Sequence, residues 1–190
     1  MNWYLKVLKQ YADFNGRARR KEYWMFVLIS TIISSIIIII SSILSAIFLT
    51  ADSPYYLGIN ILSSIYSLSV FIPSLAVGVR RLHDVGKSGW LLLLNLLSIF
   101  FLAIFTLLFL ITILESSGSP LILETLESFE SPLILEIFEA IKNPLILYGG
   151  MAIFSLLSFG GAIWLIVLLV KDGEPGENKY GENPKELEAS

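Results

Sequence analysis

The sequence has no cysteine and a single histidine, His83. Without thiols there is no disulfide framework, no thiolate nucleophile and no cysteine-based zinc site. A lone histidine excludes a metal centre built on a His cluster and leaves only carboxylate sites open. Charge is also missing over long distances. The stretches between Glu22 and Asp52, Asp52 and Arg80, Lys87 and Glu115, and Lys142 and Lys171 contain no Asp, Glu, Lys or Arg. Pumps and ion-coupled carriers usually hold an ionisable group at such depth. Here Asn60, Asn95 and a scatter of Ser and Thr supply the polarity.

What is present is apolar. A 55% hydrophobic content and a mean hydropathy of +0.76 over 190 residues are more than a water-soluble fold of this size can hide. Each uncharged stretch exceeds the roughly 20 residues a helix needs to cross about 30 Å of hydrocarbon. In lipid the backbone must satisfy its own hydrogen bonds, so helix is expected even through the β-branched run Ile36 to Ile40. The predicted architecture is all-α: a four-transmembrane-helix bundle with spans at about 23–51, 54–79, 88–114 and 144–170, in a single membrane domain of residues 1–171. The first span is too long for the apolar core of a secretory signal peptide and reads as a retained helix.

Lys and Arg set the orientation. Alternating sides gathers the basic residues of 6–21, Arg80, Arg81, Lys87, Lys171, Lys179 and Lys185 on one side and leaves Lys142 on the other. The positive-inside bias then puts both termini in the cytoplasm. Tyr23, Trp24, Trp90 and Trp164 fall near the inner ends, and Tyr55, Tyr56 and Tyr148 near the outer ends, as interfacial anchors do. Serine pairs such as Ser30 with Ser34, and the Gly-Gly steps at 149 and 160, read as close-packing surfaces. Pro73 should interrupt the hydrogen-bond ladder of span two.

The connection "RRLHDVGKSGW", Arg80 to Trp90, packs five ionisable groups into eight positions. Each charge would cost about 3 kcal/mol at the bilayer centre on the insertion scale, so the stretch belongs at the inner interface, its arginine stems snorkelling. Gly86 and Gly89 supply the turn. "GKS" is not a phosphate loop, because that motif needs Gly five positions before Gly86 and Arg81 stands there. His83 and Asp84 do not form an obvious acid/base pair, since adjacent helical residues point about 100° apart.

A second basic element precedes span one. Trp3, Tyr4, Val7, Leu8, Tyr11 and Phe14 recur at helical spacing opposite Lys6, Lys9, Gln10 and Asp13, the pattern of an N-terminal amphipathic helix lying in the membrane plane. Asn15-Gly16 breaks it, and Arg17 to Lys21 follow as a juxtamembrane cluster suited to anionic headgroups or to setting topology. Glu22 either pairs with Arg80 or Arg81 when spans one and two pack, or is solvated among basic neighbours.

"FNGRARRKEYW", "RRLHDVGKSGWLLL" and "DGEPGENKYGENP" resemble the three signature stretches of the domain of unknown function 805 family, small multi-pass proteins of the bacterial inner membrane. The resemblance implies that location and supplies neither catalytic residues nor a cofactor. By analogy with the motif, Gly16, Arg17, Arg20, Glu22, Trp24, Arg80, Arg81, His83, Asp84, Gly86, Lys87, Gly89 and Trp90 are the candidate functional positions.

Residues 115–142 depart from that pattern. "SPLILETLESFE" and "SPLILEIFEAIK" repeat with a period of about 12 and lead into "NPLIL", each Pro following a Ser or Asn cap. Two short, acidic amphipathic helices on the outer surface are expected. The tail, 172–190, is rich in Gly, Pro, Asn and charge and reads as irregular, with Tyr180 packing back near the basic hairpin.

Three functions compete. A non-enzymatic scaffold or binding protein would contact anionic lipid, or a membrane-protein partner or second copy, through its basic face. A small transporter or channel would draw on Asn60 and Asn95 and need to oligomerise. A membrane-embedded enzyme would use His83, Asp84 and Lys87. The first is favoured, with no cofactor and no nucleic-acid partner.

Overall fold

The computed structural model describes residues 3–47, 54–117, 136, 140 and 142–187. Six helices are described: α1 Trp3–Lys9, α2 Arg20–Ile47, α3 Pro54–Asp84, α4 Trp90–Ser116, α5 Pro144–Val170 and α6 Pro184–Leu187. Four of them, α2 to α5, are long and apolar enough to cross a membrane. The described residues form no strand, only an isolated bridge between Asn178 and Gly181. The all-helical, four-span expectation holds. The outer repeat and the side chains of Tyr55, Tyr56 and Asn60 lie outside the described residues.

The spans wear their apolar side chains outward. Ile38 and Ile39 on α2, Phe100 and Leu107 on α4, and Leu156 and Val167 on α5 are all more than half exposed. Such surface is untenable in water and ordinary in hydrocarbon.

The chain divides into two compact units, Met1–Leu92 with Val167–Ser190, and Leu93–Ile166. In the first, α2 and α3 pack antiparallel, as the Glu22–Arg80 ion pair near one end and the bond from the Tyr66 hydroxyl to the Ser30 carbonyl (3.4 Å) further along show. The α1 helix does not simply float in the membrane plane. Its Val7 is fully buried in a cluster with Ala18, Phe26 and Val77, and Tyr4 stacks on Phe26 with centroids 5.3 Å apart. The apolar face read from the sequence is therefore shared: Tyr4, Val7 and Leu8 pack against protein, while Tyr11 and Phe14 stay exposed.

The α3 helix continues through Pro73 and runs to Asp84, five residues past the expected end of span two. Arg80 to Asp84 thus belong to its last turns, and the turn itself is confined to 85–89. Gly86 ends the helix in the left-handed region at φ +69°, its N–H bonded to the His83 carbonyl (3.0 Å) and that of Lys87 to the Leu82 carbonyl (2.9 Å). This is the Schellman arrangement, which favours Gly at that position. Ser88 then caps α4 by accepting from the Trp90 N–H at 3.4 Å.

In the second unit, long side chains of α4 fill notches left by glycines of α5. A Cβ on Gly150 would strike the Phe105 ring, and one on Gly161 would strike the Asn95 amide. Asn95 donates to the Ser158 carbonyl at 3.1 Å, and the Ser158 hydroxyl reaches that of Ser98 at 3.2 Å. Phe154 stacks on Phe101 and Phe105 at 5.1 and 5.6 Å. The Asn143 side chain caps α5 ahead of Pro144, and Lys142 pairs with Glu115 at 2.7 Å. Interhelical polar contacts in membranes contribute about 1 kcal/mol. Asn95→Ala is expected to destabilise the protein by roughly that amount, measurable as a small drop in detergent melting temperature, with the fold retained.

Candidate functional site

The basic segment before α2, the last turns of α3 and the tail after α5 meet in one charged cluster. Its organiser is Asp84, the C-terminal residue of α3, 4% exposed. Asp84 Oδ1 accepts from Arg17 Nε at 3.0 Å, and Oδ2 is paired with Arg81 Nη1. Both carboxylate oxygens are thus held by guanidinium groups, one from the segment before α2 and one from α3 itself.

The two arginines use their remaining donors on backbone. Arg17 Nη1 donates to the carbonyls of Gly176 (2.6 Å) and Gly181 (3.3 Å), and Nη2 to that of Glu174 (2.5 Å). Arg81 Nε donates to the Leu169 carbonyl at 3.1 Å and Nη2 to that of Lys171. Arg81 therefore takes up carbonyls at the C-terminal end of α5, which the helix cannot satisfy itself. The planar fork of Arg, with five donors, is what lets one side chain bridge a carboxylate and several carbonyls. The tail adds its own bond, Glu174 N–H to the Asp84 carbonyl at 2.8 Å. Gly173 is glycine for a visible reason: any Cβ there would collide with the Asp84 carboxylate.

Beside this clasp lies a second buried pair. Glu22, 1% exposed, accepts from Lys6 Nζ at 2.7 Å and sits 3.3 Å from Arg80 Nη1, which also donates to the Gln10 amide oxygen. Of the alternatives open in the sequence, pairing with Arg80 is the one found. Arg80 Nε and Nη2 have no hydrogen-bond partner among the described residues, so this pair is held by charge more than by a fork. The Arg80 carbonyl anchors the N-terminal segment by accepting from the Ala18 N–H at 3.0 Å.

His83 and Asp84 point to different neighbours, as their adjacency on a helix requires. His83 Nδ1 lies 3.2 Å from the Gly16 carbonyl, and its ring is stacked on Tyr180 with centroids 3.7 Å apart and planes at 5°. Asn178 donates to the His83 carbonyl at 3.1 Å. Gly16, at φ +79°, provides the turn that aims its carbonyl at His83. Gly89 is buried against Val79, where a Cβ would approach Cγ1 to 2.6 Å.

Three candidate residues stand outside the clasp. Lys87 is exposed, Trp90 is 70% exposed, and Arg20 is paired at the surface with Asp172 at 2.7 Å. Trp24 joins them halfway, its indole donating to the Leu169 carbonyl at 3.3 Å. The arginines expected to snorkel outward, Arg80 and Arg81, do the reverse and are 2% and 0% exposed, and Arg17 of the juxtamembrane cluster is buried with them at 9%. Sequence reasoning also passed over Gln10, Gly173, Glu174, Gly176 and Asn178, most of which act through backbone. The turn-rich tail composition was the available signal. Among the described residues no three His, Asp or Glu side chains gather to hold a metal.

The residues that build the clasp's inner half can be compared with known proteins. A family model described as a protein of unknown function (DUF805) matches residues 11–121, more than half the chain. The chain belongs to this family. Among its relatives, the inner membrane protein YhaI of Escherichia coli K12 is 51% identical over 94 residues, covering 49% of this chain and 70% of YhaI. The inner membrane protein YhaH of the same strain is 46% identical over 97 residues, covering 51% of this chain and 74% of YhaH. No solved structure matches. The DUF805 interval contains Arg17, Glu22, Arg80, Arg81 and Asp84 and stops before the tail whose carbonyls Arg17 and Arg81 bind. With four membrane-capable helices and this membership, the chain is an integral, multi-pass membrane protein.

Proposed function

We propose that this DUF805 protein is a non-enzymatic protein of the bacterial inner membrane, both termini cytoplasmic, whose charged end contacts anionic lipid or a protein partner through residues surrounding the clasp. The observation that carries this reading is the division of labour among cations. Arg17, Arg80 and Arg81 are buried and internally engaged, whereas Lys9, Lys21, Lys87 and Lys179 are exposed, and Trp90, close after Lys87 in sequence, is largely uncovered. A compact, strongly hydrated ammonium on a flexible stem suits a headgroup layer, as an exposed indole does. The inner-membrane names of YhaI and YhaH support the location, and the lysine distribution supports the orientation.

The enzyme reading is disfavoured because Asp84 has both oxygens committed to arginines and His83 faces a carbonyl and a ring. The transporter reading is disfavoured because Asn95 serves packing in the second unit.

The test is lipid enrichment around the purified protein in mixed phosphatidylglycerol and phosphatidylcholine nanodiscs. Each surface lysine is worth about 1 kcal/mol near an anionic leaflet, so Lys9→Gln, Lys87→Gln and Lys179→Gln together should lower phosphatidylglycerol enrichment severalfold and weaken its salt dependence. Enrichment that ignores both salt and these lysines rejects the lipid form of the proposal. A charge reversal at Arg80 and Arg81 would be uninformative, since it would dismantle the buried pairs.

A further inference from the structure

We infer that the groove beside the N-terminus of α2 is a binding site for one anionic glycerophospholipid, with Arg20 and Lys21 receiving the phosphate and the apolar floor receiving the start of an acyl chain. The inference rests on the reading just given and assigns it a place. The groove is open, measures about 350 Å³, and is lined by Arg20, Lys21, Trp24, Met25 and Val170. Its wall is almost wholly apolar: an indole, a thioether, a branched aliphatic and the hydrocarbon stems of Arg20 and Lys21 suit the start of an acyl chain, and the same two side chains carry the cations for a phosphate. Its size is at the lower end of small-molecule sites, enough for a headgroup region and not for a whole lipid.

The rest of the lipid has somewhere to lie. Met25, Leu28 and Ile32 form an outward stripe at helical spacing, 39%, 53% and 50% exposed, running down α2 from Lys21. The indole of Trp24 is fixed by its bond to the Leu169 carbonyl, so the floor is preformed. At the mouth, the tail supplies a stand-in anion: Asp172 pairs with Arg20 at 2.7 Å and with Lys185 at 3.3 Å. These groups are exposed, Arg20 by 44% and Asp172 by 64%, so the pair is weak and a phosphate can displace the carboxylate. Arg20 Nη1 also donates to the Val170 carbonyl at 3.3 Å, so it is the Nη2 partner, Asp172, that a phosphate can replace without opening the clasp.

The experiment uses full-length protein with Trp3, Trp90 and Trp164 replaced by Phe, so that Trp24 alone fluoresces, in vesicles of phosphatidylcholine containing brominated phosphatidylglycerol or brominated phosphatidylcholine. Brominated phosphatidylglycerol should quench Trp24 at several-fold lower mole fraction than brominated phosphatidylcholine. Arg20→Gln with Lys21→Gln should abolish that preference, and Asp172→Asn should increase it. Equal quenching by the two lipids, or a preference unmoved by the double variant, overturns the site. Should the triple Phe background fail to fold, retention of phosphatidylglycerol by wild type and Lys21→Gln in native mass spectrometry decides the same question. Bulk enrichment without Trp24 preference would sink the site alone, whereas no enrichment would sink the lipid form of the proposed function as well.

Discussion

Asp84→Asn is expected to unfold the charged end of the protein. The carboxylate balances two guanidinium groups that are almost entirely out of solvent, with side-chain exposures of 1% for Arg17 and 0% for Arg81. The amide keeps the shape and removes the charge, and its NH2 must face a donor. Removing one partner of a buried ion pair costs about 3–5 kcal/mol, because the other is left charged and uncompensated. Here two are left, and domain stability is commonly only about 5–15 kcal/mol. Loss of most folded protein on size exclusion in detergent, or a fall of many degrees in melting temperature, is the expected result. Melting within a few degrees of wild type would show that Asp84 does not organise the cluster. Pairs of this kind give specificity more than net stability, so replacing Arg17, Arg81 and Asp84 together with apolar residues should be milder than Asp84→Asn alone.

Arg17→Lys is expected to release the tail while leaving the helices in place. Lysine preserves the charge opposite Asp84 but is a point donor, and it cannot also span the carbonyls of Glu174, Gly176 and Gly181. Hydrogen bonds from charged donors contribute about 1.5–3 kcal/mol each, so losing two of them shifts local opening by more than a factor of ten. Limited digestion with a glutamate-specific protease should then cut at Glu174, Glu177 or Glu182 at least tenfold faster, with little change in the melting of α2 to α5. Unchanged protection would mean that the Glu174 N–H bond and the His83–Tyr180 stack suffice to hold the tail. The contrast with Asp84→Asn is informative: one variant attacks the balance of charge, the other only its geometry.

How legible this was in the sequence depends on the kind of interaction. The spans could be read because lipid imposes one requirement on every residue, and the Gly86 turn because only a residue tolerant of positive φ ends a helix that way. Tyr180 returning to the basic hairpin was also within reach, since the tail's glycines and asparagines announced turns. The direction taken by the arginines was not. An arginine near a membrane surface reads as solvated or snorkelling, and nothing local announces that Asp84 and a row of backbone carbonyls will draw it inward. Backbone acceptors are present at every residue, so a site built on the carbonyls of Leu169, Lys171, Glu174, Gly176 and Gly181 leaves no side-chain signature. For the same reason α1 showed its amphipathic pattern but not that Val7 would be covered by Phe26 and Val77.

The clasp joins parts of the polypeptide that are made far apart in synthesis. Arg17 and Arg81 leave the ribosome well before the carbonyls they bind, from Leu169 to Gly181. Until α5 has been inserted, both arginines must be neutralised by water, lipid phosphate or Asp84 alone. Closing of the clasp therefore waits until α5 has been made, and nascent chains stalled before residue 169 should be held open by the insertion machinery or handed to quality control.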